Sequence, residues 1–557
     1  GAQDFERIRE RDCFYIDKTY FIRDWWDSQD EVTLITRPRR FGKTLNMSML
    51  ECFFSNKYEN RSDLFEGLSV WEDEKYRALQ GTYPVIFLSF AGIKYNKYAD
   101  THAAMNGLLA DAYRNCRFLL ESEQFKDEDR TLFSAVNKDM SDDTASMALN
   151  VLCKWLSEYY GKKVIVLIDE YDTPMQEAYI GGYWDEMTVY IRSLFNNTFK
   201  TNPYLERGVM TGITRISKES IFSDLNNLNV VTTTSDDYAT CFGFTEAEVF
   251  AAMDDQGIDP VNKEKVKFWY DGFTIGHTPD IYNPWSVTMY LDKGKFDTYW
   301  ANTSGNGLAG TLIREGDKET KQSFERLLAG ETIEAEIDEQ IVFSQIDENE
   351  DAIWSLLLAS GYLKIEDIIQ ETTEDSAIYV LSLTNFEVKK MFLSMISRWF
   401  KKGSDFAGFV PAMLRGDEYE MNAYMAEIAL HTFSSFDSGR NSSPKKAPER
   451  FYHGFVLGLI ADKSKDYVIR SNRESGLGRY DVVMEPKNRD NIAVIMEFKV
   501  YDEGRGEKTL QDTAESALRQ IEEKKYDSDL LALGIPAERI LKYGFAFKGK
   551  ECLIKKA

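Results

Sequence analysis

Along the first 245 or so residues, apolar runs of strand length alternate with amphipathic stretches of helical length. The runs are Val32–Thr36, Val85–Phe90, Val164–Ile168 and Val209–Thr214. Each is too short for a helix and too continuously apolar for a strand with one wet face. Between them, Thr101–Leu120, Thr144–Tyr160 and Met187–Lys200 carry apolar residues at helical spacing. Strands buried on both faces and joined by helices predict a parallel sheet covered on both sides. At 557 residues the chain exceeds one core, and two to four domains are expected, roughly, from length alone.

The texture changes at Thr245. "FTEAEV" opens a helix with Thr245 as N-cap and Glu248 three residues on, the pattern of a capping box. Short helices and turns follow, and "IEDIIQETTEDSAIYVLSL" predicts a hairpin. From about Phe386 long helical patterns return, broken by the Ser- and Pro-containing "SSFDSGRNSSPKKAPER". A helix over Glu449–Ala461, strands at Tyr467–Ser471, Tyr480–Glu485 and Ile492–Val500, a polar helix over Thr513–Lys525 and a strand pair near Tyr543–Ile554 complete the chain. The expected division is 1–244, a helical or winged-helix-like middle module over 245–385, and an α/β domain with a helical lead-in over 386–557.

Composition restricts the partners. A formal net charge of -25 argues against coating nucleic acid by bulk electrostatics. Any nucleic-acid contact must rest on a local site. The six cysteines are scattered without a C-x-x-C pair, which predicts reduced thiols and a cytoplasmic protein. His102, His277, His431 and His453 form no zinc-type spacing. No apolar run approaches the roughly 20 residues that span a bilayer, so no membrane role is expected.

"TLITRPRRFGKTLNMSML" reads as strand, loop and helix. Gly42, Lys43 and Thr44 are the end of a phosphate-binding loop, although Arg37 stands where G-x-x-x-x-G-K-[ST] has glycine. Backbone N–H groups and a helix N-terminus would face phosphates there. Lys43 would reach the β and γ phosphates, and the Thr44 hydroxyl would bind Mg²⁺. "VIVLIDEYD" ends a strand in Asp169 and Glu170, suited to ordering magnesium and polarising a water. "GVMTGITRIS" carries Thr211, Thr214 and Arg215 near a third strand end, the edge where open α/β sheets bind ligands. These features predict a P-loop NTPase sheet.

"YIDKT", "RPRRFGKT", "VLIDEYDTP", "TGITRISKESIFSDLNNL", "FGFTEAEV", "WYDGF", "YNPWS" and "YWANTSGN" occur in that order. Over roughly Phe5–Asn306 the chain thereby resembles the bacterial AAA-ATPase-like family, whose members often carry a C-terminal PD-(D/E)XK nuclease domain. In that family the arginine at position 37 is the normal form. The resemblance implies ATP binding by Arg37, Pro38, Arg39, Arg40, Phe41, Gly42, Lys43 and Thr44, with Asp169 and Glu170 in the Walker B role. Arg37, Arg39 and Arg40 could bind the nucleotide or reach a neighbouring subunit's in a homo-oligomer. "WYDGF" and "YNPWS" suggest packing between the ATPase and the middle module.

Near the C-terminus, Asp481 is followed after 15 residues by Glu497, with Lys499 two further on. Glu497 and Lys499 share one face of an otherwise apolar strand. A lone E-x-K is commonly a surface alternation, but charges on a buried-type strand need a reason. A metal site supplies one: two carboxylates for Mg²⁺ or Mn²⁺, and a lysine to orient the attacking water. Over Glu449–Phe547 this segment resembles the restriction-endonuclease-like domain paired with the ATPase family. Glu449 and Glu474 are further metal-ligand candidates, and Gln520 and Tyr526 follow the site. The reading is an ATP-hydrolysing protein coupled to a metal-dependent nuclease, with DNA favoured over RNA. Its rivals are a signalling or oligomerisation switch that binds without cutting, and a motor that uses the nuclease fold as a grip.

Overall fold

The computed structural model describes residues 3–215, 221–222, 225–301, 309–310, 312–313, 318–337, 352–372, 375–401, 408–432, 456, 460, 463, 466–475, 478–502, 504, 506–548 and 551–557. It has two compact units, Gly1–Ser304 with Glu334–Asn385, and Gly305–Ile333 with Phe386–Ala557.

The first unit is built on β1 (Val32–Thr36), β2 (Val85–Ser89), β3 (Val164–Asp169), β4 (Leu205–Gly212) and β5 (Leu228–Val231). They form one sheet in the order β2-β3-β4-β1-β5, with every pair parallel. Every residue of β1 and β3 is buried, which accounts for the apolar run Val164–Ile168 and for Val32, Leu34 and Ile35 of β1. β5 lies at the sheet edge, and most of "LNVV" is half-exposed, so its run is too short and mixed to stand out beforehand. The predicted helices are Tyr98–Asn115, Asp142–Tyr160 and Trp184–Phe199. The second begins at Asp142 because the Ser141 hydroxyl accepts from Thr144 N–H, fixing the N-cap.

After β5 come β6 (Phe244–Thr245), β7 (Phe273–Ile275) and β8 (Thr278–Tyr282), paired in the order β6-β8-β7. They pack with helices Glu246–Asp255, Val261–Tyr270 and Pro284–Lys293 around Val249, Met253, Val266, Tyr270, Tyr282 and Val287. The Thr245–Glu248 capping box is present, with Thr245 N–H donating to Glu248 at 2.7 Å. Glu248 also pairs at 2.7 Å with Lys18 of "YIDKT", which donates to the Thr240 carbonyl as well. Lys18 is buried, and a buried ammonium requires such partners. The predicted hairpin is β10 (Leu363–Thr372) with β11 (Asp375–Leu383), and β9 (Ile333–Glu336) completes a sheet in the order β10-β11-β9.

The second unit carries a mixed sheet, β12 (Tyr467–Ser475), β13 (Gly478–Pro486), β14 (Ala493–Val500), β15 (Ile540–Lys548) and β16 (Glu551–Lys556), in sequential order. Only β14 and β15 are parallel, and helix Leu510–Glu523 lies between them in the chain. That helix starts three residues before the predicted Thr513, because Thr509 and Asp512 form a capping box. Helix Glu418–Thr432 is tied to β16 by Asn422, whose amide donates to the Ile554 carbonyl and accepts from Ile554 N–H, both at 2.8 Å. No helix among the described residues is long and apolar enough to cross a membrane.

Candidate functional site

The loop from β1 ends in Gly42, whose φ of +83° turns the chain into helix Lys43–Phe54. The helix therefore starts beside the C-terminal sheet edge, with its first N–H groups unused by its own ladder. The Lys43 ammonium bends back to donate to the Arg37 carbonyl at 2.9 Å and the Pro38 carbonyl at 3.0 Å. Burial lowers its pKa, opposed by the nearby charges of Glu170, Asp172 and Asp169.

β4 separates β1 from β3 and joins their ends. Asp169 is fully buried at the end of β3. It accepts from the Thr44 hydroxyl at 2.8 Å and from the Thr211 hydroxyl of β4 at 2.7 Å. Burial raises its pKa, against the pull of those two hydroxyls. Glu170 follows with φ of +52°, a conformation that costs a non-glycine residue about 1 kcal/mol or more. Its carboxylate accepts from the Thr173 hydroxyl at 3.3 Å. The structure thus brings Lys43, Thr44, Asp169, Glu170 and Thr211 to one sheet edge.

Asp172, the last acid of "IDEYD", was not singled out by sequence, yet it shapes this edge. Its buried carboxylate accepts from Ile213 N–H at 2.9 Å, Thr214 N–H at 3.0 Å and the Thr214 hydroxyl at 3.0 Å. Tyr171 donates its hydroxyl to the Thr214 carbonyl at 2.8 Å. Thr214 therefore serves this clamp, and Arg215 lies part-exposed just beyond it. Asp172→Ala is expected to lower stability by about 3 kcal/mol, because two backbone donors lose a buried acceptor. Denaturant titration of the full chain would measure this, and an unchanged midpoint would refute it.

The three loop arginines differ. Arg37, expected at the phosphates, is fully buried with its guanidinium turned into the protein. It donates to the Thr232 carbonyl at 2.6 Å and the Asp237 carbonyl at 2.9 Å. Burial pushes its pKa down to about 10, so it stays charged near neutrality, held by main-chain dipoles. The side chain expected at the phosphates instead bonds to the main-chain carbonyls of Thr36, Thr232 and Asp237. Arg39 is half-buried, and Arg40 is exposed with its guanidinium 4.9 Å from the Trp285 ring centre. Pro38 and Phe41 are buried.

In the second unit, β13 and β14 pair Val482 with Met496 and Val483 with Ile495. Continued by one residue, this register sets Asp481 opposite Glu497, and opposed residues of an antiparallel pair share a face. Asp481 accepts from Phe498 N–H at 2.8 Å. Glu497 is buried and accepts from Gln520, which also donates to the Tyr526 hydroxyl at 3.1 Å. Lys499 donates to the Ser516 hydroxyl at 3.1 Å. Gln520 and Ser516 lie on helix Leu510–Glu523, which covers this face closely. A Cβ on Gly544, the β15 partner of Glu497, would meet the Ala514 carbonyl at 2.3 Å. Burial raises the Tyr526 pKa, aided by the Glu497 and Asp481 charges, so the hydroxyl that accepts from Gln520 keeps its own proton. Two hard oxygen ligands side by side suit Mg²⁺ or Mn²⁺. Glu474 lies in β12 without a described side chain, and Glu449 and His453 lie outside the described residues.

One further acidic cluster and two of the histidines have partners of their own among the described residues. Glu246, Asp271 and Asp280 bring carboxylate oxygens within 4.8 Å of one another, and Lys267 forms ion pairs with all three. His102 and His277 bond to Asp142 and Asp236.

A phosphate loop joined through a buried strand-end aspartate to a polar neighbouring strand defines a P-loop NTPase sheet. The opposed acids and lysine on a mixed sheet define a restriction-endonuclease-like core. Consistent with both, residues 1–222 match the family of predicted AAA-ATPases and residues 447–557 match the PD-(D/E)XK nuclease superfamily. The chain is also 26% identical over 393 residues to "Uncharacterized protein in vnfD 5'region" of Azotobacter chroococcum mcd 1, covering 70% of this chain and 67% of that protein.

Proposed function

We propose that this protein binds and hydrolyses ATP at the N-terminal sheet edge and that its state controls a metal-dependent nuclease in the second unit. The observation that carries the first half is Asp169, which accepts from Thr44 and Thr211 together. A hydroxyl and a carboxylate so placed fit Mg²⁺, with Lys43 available for the phosphates and Glu170 for the attacking water. When bound, the ion would neutralise charge developing on the phosphoryl oxygens. For the second half, Asp481 and Glu497 would hold Mg²⁺ or Mn²⁺, and Lys499 would orient the water that attacks a phosphodiester. DNA is the favoured substrate, reached through a restricted groove because the chain is strongly acidic. Coupling requires that ATP and ADP bind two arrangements of the protein with different affinity.

The test is cleavage of single- and double-stranded DNA and RNA with Mg²⁺ or Mn²⁺, with and without ATP. Lys43→Ala is expected to remove the ATP response, and Lys499→Ala to remove cleavage. Absence of cutting by wild type under every condition would overturn the nuclease. ATP turnover in that case would favour a switch or a grip. Equal cutting by wild type and Lys43→Ala, whether or not ATP is added, would overturn the coupling.

A further inference from the structure

The blocks "WYDGF" and "YNPWS" converge on the phosphate loop. Asn283 precedes helix Pro284–Lys293, and its Oδ1 accepts from Trp285 N–H at 3.0 Å and Ser286 N–H at 3.4 Å. The other end of the same amide donates to the Arg39 carbonyl at 3.1 Å. Arg40 stands over Trp285 in a backbone conformation with φ of +65°. Phe41 meets Phe273 edge-on, with ring centres 4.7 Å apart. Pro38 lies so close to Gly361 that a Cβ there would come within 2.8 Å of it. Four consecutive loop residues are thus each held by a side chain or backbone from beyond residue 270.

A phosphate loop works when its N–H groups converge on the anion, which requires its carbonyls to be directed elsewhere. We propose that Asn283 is a positioning residue for the phosphate loop, fixing the Arg39 carbonyl, and that Trp285 sets Arg40 beside it. Because one amide both caps helix Pro284–Lys293 and grips the loop, loop geometry and the seating of this helix are linked. The proposal rests on nucleotide binding at this loop. It makes the region after residue 270 a participant in that binding rather than packing alone.

Asn283→Ser separates the two roles. Serine caps a helix nearly as well as asparagine, but it is too short to reach the Arg39 carbonyl and adds no charge. The melting temperature of the full chain should fall less than in Asn283→Ala, because the helix cap is kept, while Mg-ADP affinity by calorimetry should fall about tenfold, the scale of one hydrogen bond. Asn283→Ala should lose both affinity and thermal stability. Trp285→Leu keeps apolar bulk at a part-exposed position and should weaken Mg-ADP several-fold, about three- to tenfold, without a change in melting temperature. Wild-type ADP affinity in the Ser and Leu variants would overturn the proposal, leaving Asn283 a helix cap. Should the Ser variant not fold, wild-type affinity in the Leu variant alone overturns it. If wild type itself binds no Mg-ADP, the nucleotide reading falls and takes this one with it. Lys43→Ala marks that baseline.

Discussion

Glu170→Gln is expected to retain ATP and ADP binding while ATP turnover falls by about 10²–10⁴-fold, the range for a lost general base. The two halves separate because of where Glu170 sits. Lys43 and Thr44 lie on the loop and its helix, and Asp169 joins Thr44 to Thr211 without help from Glu170. Glu170 stands one residue past that junction, in a left-handed conformation that side chains rarely adopt. Strain of this kind persists where the surroundings impose it, and here Asp172 and Tyr171 do so by gripping the chain at 213–214. Glutamine preserves size and can still accept from Thr173, so the turn should survive. Phosphate release and nucleotide calorimetry on one preparation measure the two quantities. Turnover that persists in this variant would reduce Glu170 to a turn leading into helix Thr173–Gly181.

Glu497→Gln is expected to lower Mn²⁺-dependent cleavage by roughly 10²–10³-fold, on the scale of removing one electrostatic stabiliser from a reacting centre. Glutamine can keep accepting from Gln520, so helix Leu510–Glu523 should stay seated on β14. What is lost is one of two opposed negative charges, and with it affinity for a divalent cation. A Mn²⁺ titration of cleavage should therefore shift to higher concentration as the rate falls. A rate equal to wild type at every Mn²⁺ concentration would remove Glu497 from the ligand set.

β1 and β3 were legible because they are buried along their whole length, which leaves little room for polar residues in their runs. β5 escaped notice because an edge strand needs no such run. The Asp169–Thr44 contact could be anticipated, since a strand-end aspartate and a P-loop threonine form a known chemical pair, and Thr211 joins them. Asp172 has a similar sequence signal to Asp169, but its role depends on where β4 ends, which spacing does not reveal. Asn283 stands ahead of Pro284 in "YNPWS", but neither its capping bonds nor its bond to a loop more than 240 residues earlier was read from the sequence. In the second unit, Glu497 and Lys499 could be placed on one face from their alternation. The partners Ser516 and Gln520 depend on the seating of a helix, which sequence spacing alone leaves open.

Arg37 carries a lesson for protein engineering. A designer repairing this loop toward its commonest form would exchange Arg37 for glycine. Here that change would strand the Thr232 and Asp237 carbonyls without their donor and loosen the base of the loop from the segment after β5. The residue that makes the signature look damaged is the one that moors the loop, and an improvement guided by averages would cut that mooring.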